Sequence, residues 1–240
     1  MAYKVSAISL DSVRAFKSRI INVGIEIEGG WTRLPPGARI VRDGSVHLPE
    51  VGEDLVAIGE FPSHPMSPSD VDMWMRAFYP QYVNSTCGLH VHMSFKHALQ
   101  YQRLMSEEYP ATIVEYMTRW AIEEDLPMTH PLWARLKGES LYCQHIFNAD
   151  QQVLNQDKDY NQQRKGHRYT VINYCWARYH TLECRLLPMM STVEQSIRAV
   201  QEVMDITNKF LVVTARREAK ASQWSTFSDT CDTEEVQLSL

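Results

Sequence analysis

Three short segments of this chain alternate between apolar and polar residues, and their polar positions carry acids, imidazoles and a guanidinium. In Cys87-Gly88-Leu89-His90-Val91-His92-Met93-Ser94-Phe95, the period of two puts Leu89, Val91, Met93 and Phe95 on one side of a strand and His90, His92 and Ser94 on the other. A run of this kind has no helical solution that gathers its apolar residues on one stripe. It predicts antiparallel strands with one face in the core and one face free for chemistry.

The second segment, Ile21 to Gly30, puts Val23 and the isoleucines on one face and Gly24, Glu26 and Glu28 on the other. Two carboxylates side by side resist ionisation unless a cation lies between them, so half of a divalent metal site is one reading. A solvated outer face is the other. The third segment, His180 to Pro188, carries Leu182, Cys184 and Leu186 opposite Thr181, Glu183 and Arg185. Glu183 and Arg185 form a simple ion pair if they lie at the surface, where such a pair contributes little. Paired histidines on a strand likewise serve as ordinary hydrogen-bonded residues. Three such strands together describe a sheet whose polar face is concave or covered by ligand.

The order of these and further motifs resembles the compact amidoligases, small relatives of glutamine synthetase and glutamate–cysteine ligase. G-L-H-V-H-M-S-F is similar to the His-x-His-x-Ser strand of glutamine synthetase, G-I-E-I-E-G-G to its Glu-x-Glu strand, and T-L-E-C-R-L-L-P to its late Glu-x-Arg strand. The amidoligase series appears in order as Glu26 and Glu28, Asp43-Gly44-Ser45, Glu60 in G-E-F-P-S-H-P, Cys87 to His92, Arg168 to Asn173, and Glu183 with Arg185, spanning residues 21–190. The resemblance implies an α+β fold with a glutamine synthetase-like curved antiparallel β-sheet and helices packed on one face. It implies an ATP-dependent carboxylate–amine ligase, in which a carboxylate attacks the γ-phosphate and an amine displaces phosphate from the acyl phosphate.

By carry-over, two or more Mg²⁺ ions would be held by Glu26, Glu28, Glu60, His90 and Glu183, in keeping with the preference of Mg²⁺ for oxygen ligands. His92 and Ser94 would lie near the nucleotide, with Arg168 and Asn173 at the matching strand. Arg185 would hold the transferring phosphoryl, its planar fork matching phosphate oxygens. Catalysis would fall to Arg185, Glu60 and Arg168, the last on phosphate or the acid substrate. Asp43 reads equally as a turn former and as a ligand, Arg164 and Lys165 read as a solvated basic turn, and no residue declares itself as the base for the amine.

The chain is far shorter than glutamine synthetase, and neither a separate N-terminal domain nor the glutamate and ammonia loops have a counterpart. The expected substrates are therefore an acid and an amine of the small-molecule, amino-acid or peptide class, as in small amidoligases of phage and accessory gene clusters. A homo-oligomer is compatible with the sequence. Three other classes compete. A phosphotransferase on the same fold would share every motif, a non-catalytic nucleotide-binding protein would keep part of them, and a cupin-type site would need a Glu soon after His92, where Ser94, Phe95, Lys96, His97 and Ala98 stand.

Composition fits one soluble domain over residues 1–220 with a polar, acidic, flexible tail over 221–240. The 240 residues suffice for a sizeable core. A net charge of −5 argues against general binding to nucleic acid or acidic membranes. No run of eighteen apolar residues occurs, and the N-terminus lacks a signal-peptide pattern, so the expected location is the cytoplasm. Cys87, Cys143, Cys175, Cys184 and Cys231 contain no C-x-x-C spacing and read as reduced and mostly buried.

Between the motifs, residues 39–48 read as a hairpin turning at Asp43-Gly44 and residues 55–61 as a strand delivering Glu60. Ser69 and Asp72 read as the start of a helix ended by Pro80, and two helices follow over 96–108 and 111–125. Residues 131–165 are mixed and end in a polar stretch, 155–165, that reads as a mobile active-site loop. Ser191 and Glu194 open a last helix through Val193, Ile197, Val200, Met204 and Leu211, expected to pack across the back of the sheet.

Overall fold

In the computed structural model, which describes residues 19–49, 54–145, 169–175 and 179–231 with side chains through 221, the three alternating segments lie side by side. Strands β1 (Ile20–Trp31), β2 (Ala57–Pro62), β3 (Gly88–Phe95), β4 (Ile172–Cys175) and β5 (Thr181–Pro188) form one sheet in the order β2-β1-β3-β5-β4. Every neighbouring pair is antiparallel. Helices α1 (Val71–Phe78), α2 (Ala98–Leu104), α3 (Glu108–Glu123), α4 (Pro131–Leu136) and α5 (Val193–Cys231) complete an α+β architecture.

The alternation does its expected work. Val23, Ile25, Ile27, Leu89, Val91, Met93, Leu182 and Cys184 are all fully buried, in one cluster with Met75, Ile113, Met117, Leu132 and Val200 from the helices. Each large aliphatic side chain so removed from water contributes about 1.5–3 kcal/mol, which gives the sheet a strong preference for this register. A one-residue slip would turn that whole set to the polar face. In α3, the spacing of Tyr109, Ile113, Met117 and Trp120 makes one buried stripe, and the Tyr109 hydroxyl meets Thr207 Oγ1 of α5 at 2.8 Å. Helix α5 packs along α3, α1 and α2.

An irregularity at the start of β1 alters one sequence-based assignment. The register shifts between Ile20 and Asn22, so Ile20 pairs with Phe95 and enters the core while Ile21 is left 46% exposed. The expected hairpin over 39–48 does not form. Asp43 Oδ1 instead accepts from the Ser45 amide at 2.7 Å and from its hydroxyl at 2.8 Å, a side-chain turn that opens the two arms. Val41 exchanges two 2.8 Å backbone hydrogen bonds with Glu60, and Val46 and Leu48 turn into the core. That approach requires Gly59, since a Cβ there would lie 2.2 Å from the Val41 carbonyl oxygen and φ is +151°.

The helix ends also differ from the sequence reading. Ser67, not Ser69, caps the short 3₁₀ turn Pro68–Asp70 that leads into α1. Residues 96–108 hold a shorter helix, and α3 begins at Glu108, with Pro110 in its first turn. A proline lacks the N–H that would bond the carbonyl of Ser106, so α2 does not continue into α3, and in the first turn of α3 the missing N–H costs nothing. Thr192 caps α5, its Oγ1 accepting from the Gln195 amide at 3.2 Å. That helix runs on to Cys231, so residues 221–231 of the stretch read as a flexible tail are helical. Residues 232–240, the 155–165 loop, Arg164, Lys165 and Arg168 lie outside the described residues. Among the described residues, no helix is long and apolar enough to cross a membrane.

Candidate active site

The strand register arranges the polar residues in rows across one face of the sheet. Glu60 of β2 stands opposite Glu28 of β1. Glu26 stands opposite His90. Gly24, His92, Glu183 and Asn173 follow one another across β1, β3, β5 and β4. Asn22 pairs with Ser94, and Cys175 with Thr181. A cavity of about 740 Å³ opens over this face, lined among others by Glu26, Asp43, Glu60, His92, Glu183 and Arg185.

Two trios of possible ligands result, each with its donor atoms within 4.8 Å of one another: Glu26, His92 and Glu183 in the first, Glu28, Asp43 and Glu60 in the second. His90 lies between them, its Nδ1 3.2 Å from Glu26 Oε2 and 3.5 Å from Glu183 Oε1, its Nε2 3.9 Å from Glu28 Oε1. The sequence places His90 with the acids and His92 near the nucleotide; in the structure both imidazoles lie against Glu26 and Glu183. Asp43, which reads equally as a turn former and as a ligand, forms the turn through Oδ1 and lies beside Glu28 and Glu60.

The electrostatics follow from crowding. Burial opposes the charge of Glu26, but hydrogen bonds and charge from His90 and His92 hold its carboxyl far below the usual range. Burial opposes Glu183 too, and Arg185 with the two imidazoles outweighs it. Among the described residues, Glu60 has no such partner. Burial and then the charges of Glu26, Glu28, Asp43 and Glu183 push it up to about 8. His92 is raised, since Glu26 and Glu183 overcome the effect of burial.

These donors fit a hard divalent ion. Five carboxylates with imidazole nitrogen beside them match Mg²⁺ or Mn²⁺. His92 Nε2 is buried 3.1 Å from Glu26 Oε1, with Glu183 Oε1 3.9 Å away, so one imidazole nitrogen faces both carboxylates of its trio. His92 Nδ1 is 3.3 Å from Thr181 Oγ1, a contact that orients the ring. Glu28 is held by the Gly88 amide, which donates to its Oε2. Room for this exists because residue 88 is glycine: a Cβ would come within 2.7 Å of His90 Nε2 and 3.1 Å of Glu28 Oε2.

Arg185 pairs through NH1 with Glu183 Oε1, and its guanidinium carbon lies 5.6 Å from the centre of the Tyr169 ring. Its Nε is buried with no hydrogen bond. Asn173 Nδ2 donates to Glu183 Oε2 at 2.7 Å. Ser94 lines the cavity beside Asn22, whose carbonyl its hydroxyl meets at 3.4 Å. Cys175 also faces the cavity, and burial, with the charges of Glu183 and Glu26, raises its thiol well above the ordinary value. Sequence reasoning put Thr181 on the polar face without a role there and missed Tyr169 and Cys175. Only the alternation that links Thr181 and Cys175 to Glu183 and Asn173 marks two of them, and nothing in the sequence marks Tyr169.

Comparison with family models, with curated proteins and with solved structures finds no match to this chain.

Proposed function

We propose that this protein is an ATP- and Mg²⁺-dependent carboxylate–amine ligase built on a glutamine synthetase-like sheet. One observation carries the reading: Glu26, His92 and Glu183 of one trio, Asp43 and Glu60 of the other, and Arg185 line a single cavity, and their motifs run in the order of the amidoligase series. The substrates are a small acid and an amine of the amino-acid or peptide class, acting as a cytoplasmic enzyme would on free metabolites or on the end of a larger acceptor.

A carboxylate is a poor acyl donor at neutral pH. Transfer of the γ-phosphoryl of ATP to its oxygen, with ADP leaving, makes that oxygen part of a good leaving group. Attack by the amine nitrogen on the acyl carbon then forms the amide and releases phosphate, with one proton lost from nitrogen. Both transfers load negative charge onto phosphoryl oxygens, and bound Mg²⁺ would neutralise it.

The chain's own residues supply the rest. Glu26, His92 and Glu183 would hold one ion, and Glu28, Asp43 and Glu60 another. Arg185, its NH1 committed to Glu183, offers its remaining N–H groups to the phosphoryl oxygens, and burial makes each such contact stronger than in water. Asn173 keeps Glu183 turned toward the site. Asn22 and Ser94, uncharged and at the far end of the rows, suit the nucleoside end of ATP.

The test is to incubate the protein with ATP, Mg²⁺ and pooled acids and amines while following ADP, phosphate and new masses. ADP with a product one water lighter than its two substrates is the expected result. ADP with a phosphorylated product would replace the ligase by a phosphotransferase. Unchanged Mg²⁺-dependent ATP binding in Glu28→Gln would overturn the metal assignment.

A further inference from the structure

We propose that Arg135 is a positioning residue that fixes Arg185 in the site by bonding the two backbone carbonyls on either side of the bulge in β5. The inference rests on the reading of Arg185 as the group that holds the transferring phosphoryl.

The bulge is visible in the register. Leu89 pairs with Leu187 and Val91 with Cys184, so two steps along β3 are matched by three along β5. The extra residue falls in Arg185-Leu186, opposite His90. A bulge breaks the ladder and leaves backbone groups without strand partners. In a buried sheet such groups must find other partners or carry a large desolvation cost. On the other side of the bulge the ladder is regular, with His92 opposite Glu183 and Met93 opposite Leu182. Glu183 is therefore set by ordinary pairing, and Arg185 is set by whatever holds the bulge.

Arg135 holds the carbonyls of this irregular stretch, while the Arg185 amide is taken by the Val171 carbonyl. Arg135 belongs to α4, is 3% exposed, and its NH1 donates to the carbonyl oxygens of Arg185 at 2.9 Å and Leu187 at 3.1 Å. One nitrogen thus uses both its hydrogens to span the irregular turn of chain. The backbone of Arg135 is fixed in turn, its carbonyl accepting from His145 Nε2 at 2.9 Å. Among the described residues no carboxylate lies within ion-pair distance of this guanidinium. A cation buried without such a pair is costly, and an apolar residue would fill the core more cheaply. The clamp on two carbonyls is the service that only a multidentate donor performs there. Arg185 has three further contacts: its amide donates to the Val171 carbonyl at 2.9 Å, its NH1 pairs with Glu183, and its plane lies near Tyr169.

The experiment uses the full chain with Arg135→Met and Arg135→Lys. In heteronuclear NMR, Arg135→Met should shift the Arg185 Nε–Hε and Leu186 amide signals and speed their hydrogen exchange by about tenfold or more, while the Leu182 and Met93 amides keep theirs. Arg135→Lys, which retains several donors, should restore part of the protection. MgATP affinity should fall by about tenfold in Arg135→Met, the loss expected when one charge-assisted contact is misplaced. Adding Arg135→Met to Arg185→Lys should then weaken binding no further, because both act through one group. Unchanged Arg185 signals, or protection lost evenly across the sheet, would overturn the proposal and leave Arg135 a core residue. If the wild-type protein binds no MgATP, the phosphoryl role of Arg185 falls, and the clamp stands or falls on the NMR signals alone. Should Arg135→Met fail to fold, Arg135→Lys carries the same comparison.

Discussion

Glu28 and Glu60 are direct cross-strand partners on the polar face of β1 and β2, two carboxylates set opposite each other. Like charges in that position destabilise a sheet, by up to about 1 kcal/mol. With Asp43 beside them, a cation or a shared proton would relieve the repulsion. Glu60→Gln should therefore raise the melting temperature of the metal-free protein and weaken divalent binding at this trio. Thermal melts with and without Mn²⁺, and a Mn²⁺ titration, read both effects. A lower metal-free melting temperature in the variant would show that the repulsion is not there.

The same crowding sets a pH dependence. Glu60 titrates near 8 in the folded chain against 4.5 as the ordinary value, so between those limits the unfolded chain loses a proton that the folded chain keeps. Its contribution to stability is present below about 4.5 and is lost as pH rises to about 8. His92, raised by Glu26 and Glu183 against burial, acts in the same sense above its ordinary value. Glu26 and Glu183, both lowered, act oppositely and lose their contribution as pH falls below the usual carboxylate range. The melting temperature of metal-free protein should decline from pH 5 to pH 8.5, roughly the window these shifts define, and saturating Mg²⁺ should flatten the decline. A flat metal-free profile would contradict the shifts.

Gly88 is the steric hinge of the site. In Gly88→Ala the new methyl group would displace the His90 ring or the Glu28 carboxylate. The expected cost is about 1–3 kcal/mol, as for other overpacked positions, with weaker Mn²⁺ binding alongside. Denaturant unfolding and a metal titration measure the two losses, and a variant with full Mn²⁺ affinity would remove Gly88 from the site.

Asn173→Leu removes the donor to Glu183 Oε2 and should destabilise the fold by about 1–3 kcal/mol, the cost of a buried acceptor left short of a partner. Asn173→Ser, able to donate, should recover part of it in the same urea titration. Equal stability of all three proteins would mean that Glu183 finds another partner.

Legibility in the sequence differed residue by residue. Leu89, Val91 and Met93 alternate with His90 and His92 because a strand has a period of two, so their opposite fates were readable at once. Ile21 was misplaced because a bulge breaks that period without any mark in composition. The turn at Asp43 was readable, but its side chain opened the arms instead of closing a hairpin, and the partner of Val41 came from β2. Pro110 was read as the boundary before a helix, whereas a proline is equally at home inside the first turn.

The sequence alone marks which strands present acids, imidazoles and a guanidinium on one face, because a period of two separates the faces locally. It could not decide which strands would be neighbours, since pairing depends on contacts between residues far apart in the chain. That pairing put His92 with Glu26 and Glu183, and Asp43 with Glu28 and Glu60. The anchoring of Arg185 by Arg135 is likewise a tertiary result. It needs a bulge in one strand and a helix brought from fifty residues away, and neither leaves a pattern in the residues on either side.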